Sequence, residues 1–202
     1  NKVNRIDTAT SYKNTVYNLR KKFLIDTKIT LDKKFFKKNN YFIKLKKKLK
    51  NDLNNFKISK FNTVYIHNIY EFNDDKILIK IFELIKIIKK QKMTHKVGIS
   101  LYDTKNLKKI IHIIKPDVVQ IPLNILDRRF EKVINFLKIH KIEIIARSIF
   151  LQGILLSKKL KFKKKFFIFN KIEKWIKENK INQLSMCINY IKSVKKLSGF
   201  IV

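Results

Sequence analysis

Four residues in the first third of the chain have types that could together move a proton: Asp7, Tyr12, Lys28 and His67. A phenol beside an ammonium group loses its proton more readily, because the positive charge favours the phenolate. A carboxylate at Asp7 can pair with Lys28 and hold it in place. The imidazole of His67 can hydrogen-bond a carbonyl oxygen. Assembled, the set is a proton donor with an electrostatic relay, suited to reducing a carbonyl by hydride from a cofactor. Each residue also has a plain reading. Tyr12 could be an aromatic packed on a turn, His67 a satisfied core histidine, and Lys28 one lysine among many. Their places in the secondary structure separate the two readings.

Short runs rich in Ile and Val alternate with longer segments of helical period. The runs predict strands at 3–7 (VNRID), 23–28 (FLIDTK), 62–67 (NTVYIH), 96–100 (KVGIS), 117–121 (DVVQI), 142–148 (IEIIARS) and 199–202 (GFIV). Apolar residues three and four apart predict the helices between them. The stripes are Phe42, Leu45, Leu49 and Leu53; Ile77, Ile81, Leu84, Ile85 and Ile88 behind a capping Asp74 or Asp75; and Leu107, Ile110, Ile111 and Ile114 behind Thr104. Two more are Phe130, Val133, Ile134 and Leu137, and Leu184, Cys187, Ile188, Ile191 and Val194. Trp175, with Ile172 and Ile176, predicts an anchored helix face. Alternation of this kind means parallel strands joined by right-handed crossovers, either a doubly wound sheet or a (β/α)8 barrel. No Gly-rich fingerprint follows an early strand, which argues against a dinucleotide-binding Rossmann site. Asp7, Lys28, His67, Ser100, Gln120 and Ser148 fall at or near the C-terminal ends of strands, where a barrel keeps its chemistry. Seven strands are legible rather than eight.

The 202 residues are enough for one domain with a sizeable core, and 45% hydrophobic content is globular. The net charge of +33 by itself suggests nucleic acid or an anionic surface. The bias in composition weakens that reading. Lys, Ile, Asn and Phe are favoured and Gly, Ala and Pro avoided, which tracks A/T-rich codons. Lys greatly outnumbers Arg, although Arg is the better bidentate phosphate ligand. The densest basic run, 33–50, reads as the solvent face of one helix. One cysteine, Cys187, excludes an intrachain disulfide and falls on an apolar stripe. No apolar run approaches the ~18 residues of a membrane span, and no signal peptide is visible. His95, His112 and His140 are expected in or just after helices, without ligand spacing, so no metal site is expected.

Six blocks resemble the aldo-keto reductases, in that family's order: IDTATSY (6–12), IDTK (25–28), VYIHN (64–68), VGIS (97–100), PDVVQIPLN (116–124) and IIARSIFLQGILL (144–156). The resemblance implies an NADPH-dependent oxidoreductase on a (β/α)8 TIM barrel, acting on a small-molecule aldehyde, ketone or sugar. It implies one incomplete barrel domain over 1–202, lacking the first strand and the C-terminal loop that grips the cofactor phosphates. A cytoplasmic, metal-free protein with no membrane and no specific nucleic-acid partner is expected. By position, Asp7, Tyr12, Lys28 and His67 match the family's catalytic tetrad, with Tyr12 as proton donor. Ser100 and Gln120 match residues that hold the nicotinamide amide. Arg147, beside Ser148, falls where many members stack an aromatic on the nicotinamide ring. Other departures are Lys13 for the usual Gly, Leu101 for a common Asn, and a short link between Tyr12 and Lys28. An open barrel would leave two strand edges unpaired, a hazard for solubility. The other reading is a non-catalytic basic barrel that meets nucleic acid or anionic surfaces through its charge.

Overall fold

The structure, a computed structural model, describes residues 4–9, 23–32, 36, 41–157 and 167–202, with side chains described from 171 in the last stretch. Seven strands lie in one parallel sheet in sequential order: β1 (Arg5–Asp7), β2 (Leu24–Ile29), β3 (Phe61–Ile66), β4 (Thr94–Ser100), β5 (Val118–Pro122), β6 (Glu143–Arg147) and β7 (Gly199–Phe200). The helices are α1 (Tyr41–Phe56), α2 (Asp75–Lys90), α3 (Leu107–Ile114), α4 (Ile134–Ile139), α5 (Phe167–Glu178) and α6 (Gln183–Ser193). Each of α1 to α4 lies in a parallel crossover between neighbouring strands, and α5 and α6 both fall between β6 and β7. The sheet curls, because Gln120 on β5 reaches Asp7 on β1 across its concave face. Among the described residues no strand joins β7 back to β1. The architecture is that of an incomplete (β/α)8 barrel.

The period of two along each strand sorts side chains between two environments. Ile25, Ile29, Val64, Ile66, Val97, Ile99, Val119, Ile121 and Ile144 face outward into one large core shared with the helices. Leu45, Leu49 and Leu53 of α1, Leu78, Ile81, Leu84 and Ile88 of α2, and Ile110, Ile111 and Ile114 of α3 cover them. Burial of this apolar stripe, not intrinsic propensity, is what holds such Lys-rich helices on the sheet. The inward face is unusually polar. It carries Arg5, Asp7, Asp26, Lys28, Thr63, Lys96, Ser100, Gln120 and Glu143, with a small apolar cluster around Tyr65, Val118 and Ile145.

Several expectations need correction. Of the two expected caps of α2 it is Asp74 that serves, accepting from the Ile77 amide at 3.1 Å; Ile77 packs partly buried against the core, and Leu78, not in the expected stripe, is fully buried. Thr104 does not cap α3 with its side chain. Asn106 precedes the helix in a left-handed conformation (φ 52°), and Thr104 contributes only its carbonyl oxygen. Leu184 and Trp175 are half-exposed rather than packed, whereas Cys187, Ile191 and Ile176 are buried. His95 lies within β4, exposed, not at a helix end. β4 starts two residues earlier than the apolar run, because Thr94 and His95 join the ladder as polar residues.

Candidate active site

Asp7 ends β1, Lys28 is the penultimate residue of β2, and His67 directly follows β3. Lys28 Nζ donates to Asp7 Oδ2 in an ion pair, and both side chains keep only 11% exposure. The other carboxylate oxygen of Asp7 accepts from Gln120 Nε2 at 3.2 Å. Asp7 is therefore held from two sides, by a cation from the neighbouring strand and by an amide from across the barrel. Half-buried charges need this kind of satisfaction, since an unpaired one loses its hydration without return.

The backbone fixes the adjoining strand ends. The His67 amide donates to the Ile29 carbonyl at 2.8 Å. The buried Asn68 side chain bonds Leu31 twice, accepting from its N–H at 2.9 Å and donating to its C=O at 2.7 Å. This pair of hydrogen bonds clamps the chain after β2 against the chain after β3, which keeps His67 within the field of Lys28. Asn124 does the same work on the other side of the mouth. Its Oδ1 accepts from the Leu126 and Asp127 amides, and its Nδ2 donates to the Ser148 carbonyl.

His67 Nε2 lies 2.8 Å from the hydroxyl of Tyr102, in the turn after β4. Burial pushes the imidazole below its usual range, and the charges of Lys28 and then Arg147 push the same way. The ring is therefore neutral near pH 7. It can donate from Nε2 or accept there, according to its tautomer. Arg147, the last residue of β6, lays its guanidinium over the Tyr102 ring at 4.4 Å from the centroid. It donates to the Leu101 carbonyl at 3.1 Å and makes a long contact to Ser148 Oγ at 3.4 Å. Ser148 has φ 56°, a left-handed conformation that costs a residue with a Cβ and recurs at functional sites.

Ser100 and Gln120 are aligned partners in the β4–β5 register and both are fully buried. Ser100 Oγ and Gln120 Oε1 have no hydrogen-bond partner among the described residues. Each buried polar atom left so costs about 1–3 kcal/mol. A planar amide at these two strand ends would satisfy both, donating to Gln120 Oε1 and accepting from the Ser100 hydroxyl.

Of the sequence-predicted set, Asp7 and Lys28 touch, His67 lies in their field, and Gln120 joins them. Tyr12 lies outside the described residues. Tyr102 was not anticipated. Its signal was the strand parity, since Gly98 and Ser100 point inward and Tyr102 continues that row. The same parity places Arg5 beneath Asp7. Arg5 forms an ion pair with Asp26 and donates to Thr63 Oγ1 at 3.0 Å and to the Tyr65 hydroxyl at 3.2 Å.

The fold has many counterparts among solved structures. An apo aldo-keto reductase from Bacillus halodurans matches with a TM-score of 0.74 at 17% identity, over 98% of this chain and 69% of that one. An aldo/keto reductase from Klebsiella pneumoniae, solved with NADP and acetate, matches at 0.69 and 14%, over 98% and 69%. A glycerol dehydrogenase from Gluconobacter oxydans matches at 0.69 and 16%, over 98% and 71%. No curated protein matches the sequence. The model of the aldo/keto reductase family matches residues 1–202, the whole of the chain. With that match over a parallel barrel whose strand ends pair Asp7 with Lys28, this chain belongs to the aldo/keto reductase family.

Proposed function

We propose that this protein reduces a small-molecule aldehyde, ketone or sugar with NADPH, using Asp7, Tyr12, Lys28 and His67 as its catalytic set. The observation that carries this reading is the Asp7–Lys28 ion pair beside a neutral His67, on three consecutive strand ends of an aldo/keto reductase barrel. Bound NADPH supplies the hydride. Tyr12 stands five residues beyond Asp7 and donates the proton to the carbonyl oxygen. The Lys28 ammonium favours the phenolate that this transfer leaves, and Asp7 holds that ammonium in place. His67 presents a neutral nitrogen that orients the carbonyl by a hydrogen bond. Ser100 and Gln120 hold the nicotinamide amide, which their two unpartnered atoms fit. Arg147 and Ser148 form the wall beside them.

The test is loss of turnover without loss of cofactor binding. Tyr12→Phe and Lys28→Met are each expected to lower kcat by about 100-fold or more, the usual scale of a positioned acid. NADPH affinity, read by fluorescence titration, is expected to stay within a few-fold. Variants that reduce aldehydes as fast as the parent chain would overturn the assignment.

A further inference from the structure

Arg147 differs from the other described arginines. Arg5 pairs with Asp26, Arg128 with Glu131 and Arg129 with Asp127. Arg147 forms no ion pair among the described residues, although it is half-buried. All 15 Asp and Glu residues of the chain fall among the described residues, so no carboxylate elsewhere in it can supply the missing partner. The fork of the guanidinium is only partly used. One terminal nitrogen serves the Leu101 carbonyl, the other reaches Ser148 at the limit of bonding distance, and Nε is buried without an acceptor. A charge buried without a direct ion pair is costly, and burial pushes the guanidinium below its usual range even though Tyr102, Asp7 and Asp127 oppose the shift from a distance. A planar anion is the group that would satisfy the charge and the idle N–H together.

The location narrows what the anion belongs to. The guanidinium covers the ring of Tyr102, and the hydroxyl of that ring is bonded to His67 Nε2, the nitrogen assigned above to the substrate carbonyl. Lys28, the other cation that acts on His67, is already neutralised by Asp7.

We propose that Arg147 is the seat for a carboxylate on the substrate, so that the preferred substrates are oxo acids whose acid group lies close to the carbonyl. The carbonyl oxygen takes the His67 nitrogen from the Tyr102 hydroxyl, and the carboxylate takes the Arg147 guanidinium in place of the ring that covers it. The inference rests on the reductase reading for the name of the substrate, but not for the presence of the anion seat. The same guanidinium could instead meet a phosphate of the cofactor, and the test separates the two sources.

Oxamate, an unreactive analogue of a 2-oxo acid, is titrated calorimetrically into the full chain, with and without saturating NADP+. One-to-one binding is expected, weakened about tenfold or more in Arg147→Met, as for loss of a charged hydrogen-bond donor. Arg147→Lys keeps the charge without the fork and should fall between. No binding, or equal binding by parent and Arg147→Met, overturns the proposal. So does an Arg147→Met chain that loses affinity for NADPH while keeping oxamate, since the seat would then belong to the cofactor. A second measurement needs no variant. The parent chain should reduce phenylglyoxylate with a kcat/KM about tenfold or more above that for its uncharged methyl ester. Equal values would overturn the substrate class while leaving the reductase reading intact. If neither is reduced, the reductase reading fails and the oxamate titration still decides on Arg147.

Discussion

At the scale of single residues, the site is a balance of charges that His67 reports. Burial lowers its affinity for a proton most, Lys28 and Arg147 lower it further, and Asp7 opposes them. The fold therefore prefers the neutral ring. As pH falls through the usual imidazole range near 6.5, the unfolded chain takes up a proton that the fold resists, so stability drops as acid is added. Two substitutions should move the His67 midpoint in opposite directions in an NMR titration. Lys28→Met removes a repelling cation and raises it. Asp7→Asn removes the attracting carboxylate, leaves Lys28 unopposed, and lowers it. Shifts of the same sign would show that His67 does not sit between the pair. Asp7, Lys28 and His67 were legible in the sequence because each is a polar residue closing an apolar run. Tyr102 was not, because it lies beyond the end of β4 and its meaning depends on the inward row it continues. That Gln120 would hold Asp7 was also invisible, since 113 positions separate them and only the curl of the sheet brings them together.

At the scale of elements, the strand pattern carried most of the fold. Outward Ile and Val residues mark every central strand, and the helix stripes match the buried faces except at their ends. Leu184 and Trp175 fit the helical period but sit where no neighbour covers them. Periodicity says which side of a helix is apolar, not how far the partner surface extends. The inward layer was harder to read, and Gly98 shows why. Its place in β4 is next to Tyr65 of β3 in the register, and a Cβ there would lie 2.5 Å from Tyr65 Cε1 and 2.9 Å from Val118 Cγ1. The missing side chain makes room for a fully buried phenol that reaches Arg5. Gly98→Ala should therefore destabilise the chain by about 1–3 kcal/mol, the cost of overpacking a filled site. Urea denaturation reads this as a lower midpoint with an unchanged slope. An unchanged midpoint would mean that Tyr65 can move aside, and that the layer below Asp7 is looser than its contacts indicate.

At the scale of the whole molecule, the charge of +33 acts over a different range from the charges in the site. Lysines on helix faces lie in water and are screened over about 8 Å at physiological salt. They draw any polyanion, and no described feature of the barrel tells one nucleic-acid sequence from another. Duplex DNA should bind at low salt with a steep salt dependence and no sequence preference, and should dissociate at moderate salt. Association of NADPH, itself an anion, should slow as salt rises, because steering by the outer charge is lost. Arg147 lies half-buried against Tyr102, where salt screens far less. The preference for phenylglyoxylate over its methyl ester should therefore survive a rise in salt that abolishes DNA binding. The two ratios, measured across one salt series, separate surface charge from site charge. If acid preference and DNA binding decay together, the anion selectivity belongs to the lysine-rich exterior, and the basic charge itself is the recognition device.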